Sequence, residues 1–187
     1  MEDHSERTGA VIHCAIASPI GEITSTILRY LRSTSKRDFV IIPIIVLIEQ
    51  AISRRRLRFW GAPLMIWGYA QYRLSGEYRN RVGRGGPGVS GPPPEHLVTS
   101  GIYRVTRNPM YTGHIIYLAG LAICTGSPAA AAIAIGIVPW FRSRIIENEQ
   151  QLRGIFGEEF EDYAKKVGRW GPRLARSSRT RGVSIAP

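Results

Sequence analysis

The run NPMYTGHIIYLAGLAICTGSPAAAAIAIGIVPWF, residues 108–141, holds 34 consecutive positions without one Asp, Glu, Lys or Arg. A helix on the surface of a water-soluble domain needs polar groups on its outer face. So long an uncharged stretch predicts embedding in a membrane. It is punctuated once, at Gly126, Ser127 and Pro128, where glycine ends one helix and proline suits the first turn of the next. The expected structure is a helical hairpin with arms at 111–125 and 129–141. Each arm falls short of the roughly 20 residues that cross a bilayer, so local thinning, polar flanks or a re-entrant path must make up the difference. A buried hairpin in a soluble all-α protein is the alternative.

A hairpin returns the chain to the side it left. The segment GIYRVTRNPMY (101–111) before the run and RSRIIENEQQL (142–152) after it must then meet on one face. Tyr103, Arg104, Arg107, Asn108 and Tyr111 come within reach of Glu147 and Glu149. Further on, Leu152, Ile155 or Phe156, Phe160, Tyr163 and Val167 recur at spacings of three and four, an amphipathic helix that Gly157 would interrupt. Glu158, Glu159, Glu161, Asp162, Lys165 and Lys166 fill its other face. Such a helix lies along a membrane surface and closes a pocket.

Upstream are two more apolar runs, FVIIPIIVLI (39–48) and FWGAPLMIWGYAQY (59–72), expected to form a second hairpin with Pro43 and Pro63 as kinks. Trp60, Trp67, Tyr69 and Tyr72 suit an interfacial aromatic belt. If both runs crossed, the arginines at 54–58 would lie opposite Arg73, Arg79, Arg81 and Arg84, against the positive-inside tendency; one run is therefore expected not to span. The basic flanks of the main run favour a cytosolic position for its pocket. GRGGPGVSGPPP (83–94) is a loop rather than a phosphate cradle, because no Gly-Lys-Ser/Thr follows it.

The organisation predicted is an N-terminal segment at 1–38, a membrane hairpin at 39–82, the loop at 83–94, a catalytic region at 95–172 and a basic flexible tail at 173–187. In fold class this is an all-α, multi-span integral membrane helical bundle with a C-terminal hairpin and an amphipathic cytosolic helix. The N-terminus lacks the basic start and long apolar core of a secretory signal. In 187 residues the net charge is +11, which favours anionic lipid headgroups or nucleic acid. Because the charge lies along membrane flanks, nucleic acid is not an expected partner. Cys14 and Cys124, and His4, His13, His96 and His114, show no ligand spacing, so neither a disulfide framework nor a metal site is expected.

Residue types around the hairpin suggest a pocket chemistry. Arginine and an amide hold a carboxylate, a buried glutamate holds an ammonium, and tyrosines pack on a planar base or a cation. At HLVTSGIYRVTRNPMYTG (96–113), NEQQLRGIFGEEFEDY (148–163) and KKVGRWGP (165–172), the sequence resembles the isoprenylcysteine carboxyl methyltransferase and phospholipid methyltransferase group of integral membrane enzymes. That group carries LVTSGPYRxxRHPxYxG, a helical hairpin, then EExxLxxxFGxxYxxY and a short basic stretch with proline. The resemblance covers nearly half the chain. It implies methyl transfer from S-adenosylmethionine to a lipophilic or lipidated acceptor within the membrane. It further implies that Tyr103, Arg107, Asn108, Pro109, Tyr111 and Glu149 bind the cofactor, that Gly113 allows close helix packing, and that Glu149, Arg144 and Arg173 act on the substrate. The sequence departs from the group twice. Asn108 stands at its histidine and Asn148 at the first of its paired glutamates; an amide donates a hydrogen bond but does not take up a proton. A membrane-bound, NADPH-dependent reductase of the sterol type shares an RxPxYxG element, but Met110 and His114 depart from its pattern. A catalytically inactive membrane protein of the same fold is the other alternative.

Overall fold

The structure is a computed structural model and describes residues 33–85 and 93–173. The N-terminal segment through residue 32, most of the Gly/Pro-rich loop and nearly all of the basic tail lie outside the described residues. The described residues are helical, without strands, and the chain divides into two compact units between Arg56 and Leu57.

In the first unit, helix α1 (Ile42–Ser53) follows a helical turn at Thr34–Lys36 and a widened π-turn at Arg37–Ile41. Pro43 does not bend this helix in its middle. It sits in the first turn of the regular α-helical part, just after the π-turn, where a missing proline N–H costs least.

The second unit holds three long helices: α2 (Ala62–Gly83), α3 (Pro109–Thr125) and α4 (Pro128–Lys166). Pro63, expected as a kink, likewise occupies the first turn of α2. The run expected at 59–72 thus becomes a longer helix, and its partner in this unit is α3. Paired glycines bring the two helices together. A Cβ built on Gly61 would lie 2.1 Å from the Gly120 carbonyl oxygen, and one on Gly68 would lie 2.5 Å from the Tyr117 nitrogen and 2.6 Å from the Gly113 oxygen. Conversely, a Cβ on Gly113 would meet the Gly68 oxygen at 2.7 Å, and one on Gly120 the Gly61 oxygen at 2.8 Å. The glycines recur every seven residues on each side of the pair, Gly61 in the turn that leads into α2, so one antiparallel seam is backbone against backbone.

The α3–α4 turn forms as the sequence predicts. Gly126 takes a left-handed conformation (φ 57°) and donates to the Ala122 carbonyl at 2.8 Å. The Ser127 hydroxyl then caps α4 by accepting from the Ala130 N–H at 3.1 Å. The second arm does not stop at 141, however. It runs on past the first arginines as far as Gly157, whose non-helical conformation (φ 50°, ψ −119°) sets off the last helical stretch, so the interruption expected there is present while the segment before it is continuous with the second arm. Phe141 and Ile145 are fully buried, so the helix passes its first arginines without losing its inward stripe. Beyond the kink, Phe160, Tyr163 and Val167 form a small core against Leu97, Leu152 and Phe156. Of the two candidates for that stripe, Phe156 is inward and Ile155 is 44% exposed.

Helix α4 is long and apolar enough to cross a membrane, and only 17% of its most apolar window is buried. It is the one such helix among the described residues. Trp60, Trp67 and Tyr69 are exposed, as an interfacial belt requires. Tyr72 is not part of that belt: it turns inward, with its ring 4.7 Å from that of the buried His114.

Candidate functional site

Between α3 and the bent end of α4 lies an open cleft of about 600 Å³. Its walls are the segment before α3, the first turn of α3, the Asn148–Leu152 stretch of α4 and the aromatic residues beyond the kink. Gly101 (φ 60°) starts the 3₁₀ turn Gly101–Arg104. Tyr103 is then driven inward, 6% exposed. Its hydroxyl donates to the Ser75 carbonyl at 3.3 Å, while its own carbonyl accepts from the Tyr163 hydroxyl at 2.7 Å. Burial pushes the Tyr103 phenol up to about 12, although Arg79 pulls the other way. The phenol of Tyr163 is raised by the same cause.

The segment after α4 closes over the start of α3 through backbone contacts. The Arg107 N–H donates to the Gly168 carbonyl at 3.0 Å, and the Thr106 hydroxyl to the Arg169 carbonyl at 3.0 Å. On the α2 side, the Gln71 amide donates to the Pro109 carbonyl at 3.0 Å. These contacts fix the loop on which the sequence-predicted residues ride.

At the floor of the cleft, Glu149 is 4% exposed. Arg169 grips it with two nitrogens, Nη2 to Oε2 at 2.7 Å and Nε to Oε1 at 3.1 Å. Arg107 Nη2 approaches at 3.5 Å, and the Asn108 amide donates at 3.3 Å. One carboxylate therefore faces two guanidiniums, so the group retains one positive charge. Burial lowers the pKa of Arg107, opposed by the charge of Glu149, while the hydrogen bonds that Arg169 donates to Glu149 raise that of Arg169. This changes the chemistry expected of Glu149: its oxygens already accept from Arg169 and Asn108 and pair with Arg107, and the surplus positive charge suits an anion. Two donors point the same way. The Arg107 Nε is buried without a hydrogen-bond partner. Asn148, 9% exposed, lines the cleft without a hydrogen bond to any described residue.

Six sequence-predicted residues come together here: Tyr103, Arg107, Asn108, Pro109, Tyr111 and Glu149 all line the cleft. Arg144 and Arg173 are placed elsewhere. Arg144 pairs with Glu147 at 2.9 Å and lies over the Trp140 ring. Arg173 caps the end of α4 by donating to the Ala164 carbonyl at 3.0 Å and to that of Lys165. The sequence reading passed over Arg169, four residues before Arg173 in the same basic stretch. It also passed over Arg79 of α2, which lines the cleft from the other side.

The phospholipid methyltransferase family matches residues 57–159. A probable protein-S-isoprenylcysteine O-methyltransferase of Oryza sativa subsp. indica is 40% identical over 73 residues, 38% of this chain and 38% of that protein. Protein-S-isoprenylcysteine O-methyltransferase B of Arabidopsis thaliana is 37% identical over 73 residues, covering 38% of this chain and 36% of its own. The Mus musculus protein-S-isoprenylcysteine O-methyltransferase is 38% identical over 72 residues, 25% of its length. The matches thus span well under half of these relatives.

Proposed function

The chain belongs to the phospholipid methyltransferase family, and we propose that its cleft binds S-adenosylmethionine and passes the methyl group to a lipophilic acceptor partitioned into the membrane. The donor set fits that cofactor. A net positive charge and the unpartnered Arg107 Nε suit the carboxylate of its amino acid head. Tyr103, Tyr111, Phe160 and Tyr163 offer aromatic walls for its base and its cationic sulfur. S-adenosylmethionine, when bound, supplies a methyl group already activated on a sulfonium.

What the protein must add is position and exclusion of water. Glu149 holds Arg107 and Arg169 in place, Asn108 ties that group to α3, and Leu97, Val98 and Leu152 keep the wall dry. Asn108 serves this arrangement by donating alone, so the amide at the family's histidine position is compatible with the reading. A carboxylate acceptor would need no base. The chain's exposed apolar side chains and α4 support placing the cleft at a membrane surface, with the acceptor arriving from the bilayer. A cytosolic orientation belongs to the same proposal and rests on the basic flanks. The observation that carries the reading is the buried, unpartnered Arg107 Nε beside a carboxylate already matched by two cations.

The test is direct titration of the purified protein in detergent with S-adenosylmethionine and, in parallel, NADPH. Binding of the first and not the second is expected. Arg107→Met should weaken it about tenfold or more, the scale of one charge-assisted contact, while Arg144→Ala leaves it within about twofold. Equal losses from both substitutions, or no binding by the unmodified protein, would reject the site.

A further inference from the structure

Helix α4 carries an ion pair that an unbroken helix could not make. Arg153 donates through Nε to Glu161, eight residues further on. Eight residues of straight helix rise about 12 Å and turn the two side chains about 80° apart, so the pair closes only because the backbone turns at Gly157. Nothing lies within 4 Å of a Cβ built on Gly157; glycine serves the turn there and not the packing. The pair is half-exposed, so it adds little stability by itself, and its weight is geometrical. The Arg153 guanidinium lies 5.8 Å from the centre of the Phe160 ring, and that of Arg107 lies 6.0 Å from the same ring. Phe160 is buried and forms part of the cleft wall, so the clasp outside the turn bears on the ligand space within it.

Before the turn, Glu149 and Arg153 stand four residues apart, the spacing at which Glu and Arg meet on one helix face. In this structure each is engaged elsewhere: Glu149 with Arg107 and Arg169, Arg153 with Glu161. Arg169 reaches Glu149 because the stretch beyond Gly157 folds back, fastened where the Arg107 N–H and the Thr106 hydroxyl donate to the Gly168 and Arg169 carbonyls. Were that stretch to swing away, both ion pairs across the turn would part, and Glu149 and Arg153 would be left to each other.

We infer that Arg153 is a positioning residue: by pairing with Glu161 it holds the turn at Gly157, keeps itself off Glu149 and sets Phe160 and Arg169 in place around the cleft. The inference rests on the methyl-transfer reading for the identity of the ligand alone. A cofactor that needs the closed cleft binds only that arrangement, so loosening the clasp lowers its affinity by the closed fraction lost.

The experiment uses the full chain in detergent and two readouts. The first is titration with S-adenosylmethionine. Glu161→Arg and Arg153→Glu, which turn the attraction into repulsion, should each weaken binding about fivefold or more. The double variant, which restores the pair with its charges exchanged, should bind within about twofold of the unmodified protein. Asp162→Arg makes the same charge change in a pair with Lys165 that lies wholly beyond the turn, and should also stay within about twofold. The second readout is the distance between spin labels at Arg142→Cys and Lys166→Cys, both exposed, in a background lacking Cys14 and Cys124. A straight helix would separate these positions by about 36 Å. A shorter, narrow distance is expected, lengthened and broadened by Glu161→Arg and recovered in the double variant. Unchanged spacing or unchanged affinity in Glu161→Arg, no recovery in the double variant, or an equal loss from Asp162→Arg would each overturn the inference. Failure of the unmodified protein to bind S-adenosylmethionine would defeat the methyl-transfer reading instead, and the spacing would still decide whether the clasp sets the turn.

Discussion

Tyr103 is held on both sides: its hydroxyl donates to the Ser75 carbonyl and its carbonyl accepts from Tyr163. Burial favours the neutral phenol, which raises its pKa to about 12 from an ordinary 10.0. The sign of the consequence follows. Below pH 10 the phenol is protonated whether the chain is folded or not, and its contribution to stability is complete. As pH rises from 10 toward 12 the unfolded phenol ionises first, so that contribution is lost. Thermal unfolding in detergent between pH 9 and 11.5 is expected to fall more steeply for the unmodified protein than for Tyr103→Phe. The variant itself starts lower by about 1 kcal/mol, the worth of one hydrogen bond. Parallel slopes would show that this phenol is not the alkaline-sensitive group. The buried polar residues were only partly legible in the sequence. Residue type and order suggested Glu149, Arg107 and Asn108 together, because a hairpin must bring its flanks to one side. They did not suggest Arg169, since its pairing with Glu149 depends on how the chain folds back after α4. No local pattern distinguishes that arginine from Arg173 nearby.

The three long helices of the second unit show which features of an element can be read locally. The Gly-Ser-Pro turn could, because each residue there meets a backbone requirement of its own. The length of α4 could not. Arg142 and Arg144 mark a membrane flank, but charge ends a membrane crossing without ending a helix. The seam between α2 and α3 lay in the sequence as two glycine pairs, 61 with 68 and 113 with 120, but a seven-residue glycine spacing has meaning only once a partner helix is known. Its energetic weight is testable. Gly68→Ala would place a Cβ 2.5 Å from the Tyr117 nitrogen, and rigid backbone on both sides leaves no side chain to give way. A loss of about 1–3 kcal/mol is expected, as for other overpacked sites, with Gly113→Ala costing a similar amount. Gly136→Ala is the control: nothing lies within 4 Å of its Cβ, and alanine is the better helix former by up to about 1 kcal/mol. Unfolding midpoints in micelles should fall for the first two and hold or rise for the third; the same fall at all three positions would deny the seam its special role.

At the scale of the whole second unit, the distribution of apolar surface and the position of the cleft make one picture. Ile66 and Trp67 on α2 and Ile135 on α4 are 70%, 61% and 73% exposed, a surface that water would not tolerate in a contiguous patch. Arg79, Arg107 and Glu149 line the cleft near the start of α3, whereas Arg58 lies at the other end of that helix, its N–H donating to the Cys124 carbonyl at 2.7 Å. If that apolar zone sits in lipid, the α3–α4 turn lies across the membrane from the cleft, and the two segments flanking the hairpin share a side. Single cysteines in a background lacking Cys14 and Cys124 would separate the possibilities. With the protein in oriented liposomes and a maleimide that cannot cross the bilayer, Glu95→Cys and Glu159→Cys are expected to label from one side. Ala129→Cys, at the turn, should label from the other, and Ile135→Cys from neither until detergent is added. Both Glu95 and Glu159 are exposed in the structure, so failure to label would mean lipid and not protein covers them. Labelling of positions 95, 129 and 159 from a single side would replace the crossing hairpin with a re-entrant one. Labelling of position 135 as well would place the whole unit in water and remove the route by which a lipophilic acceptor reaches the cleft.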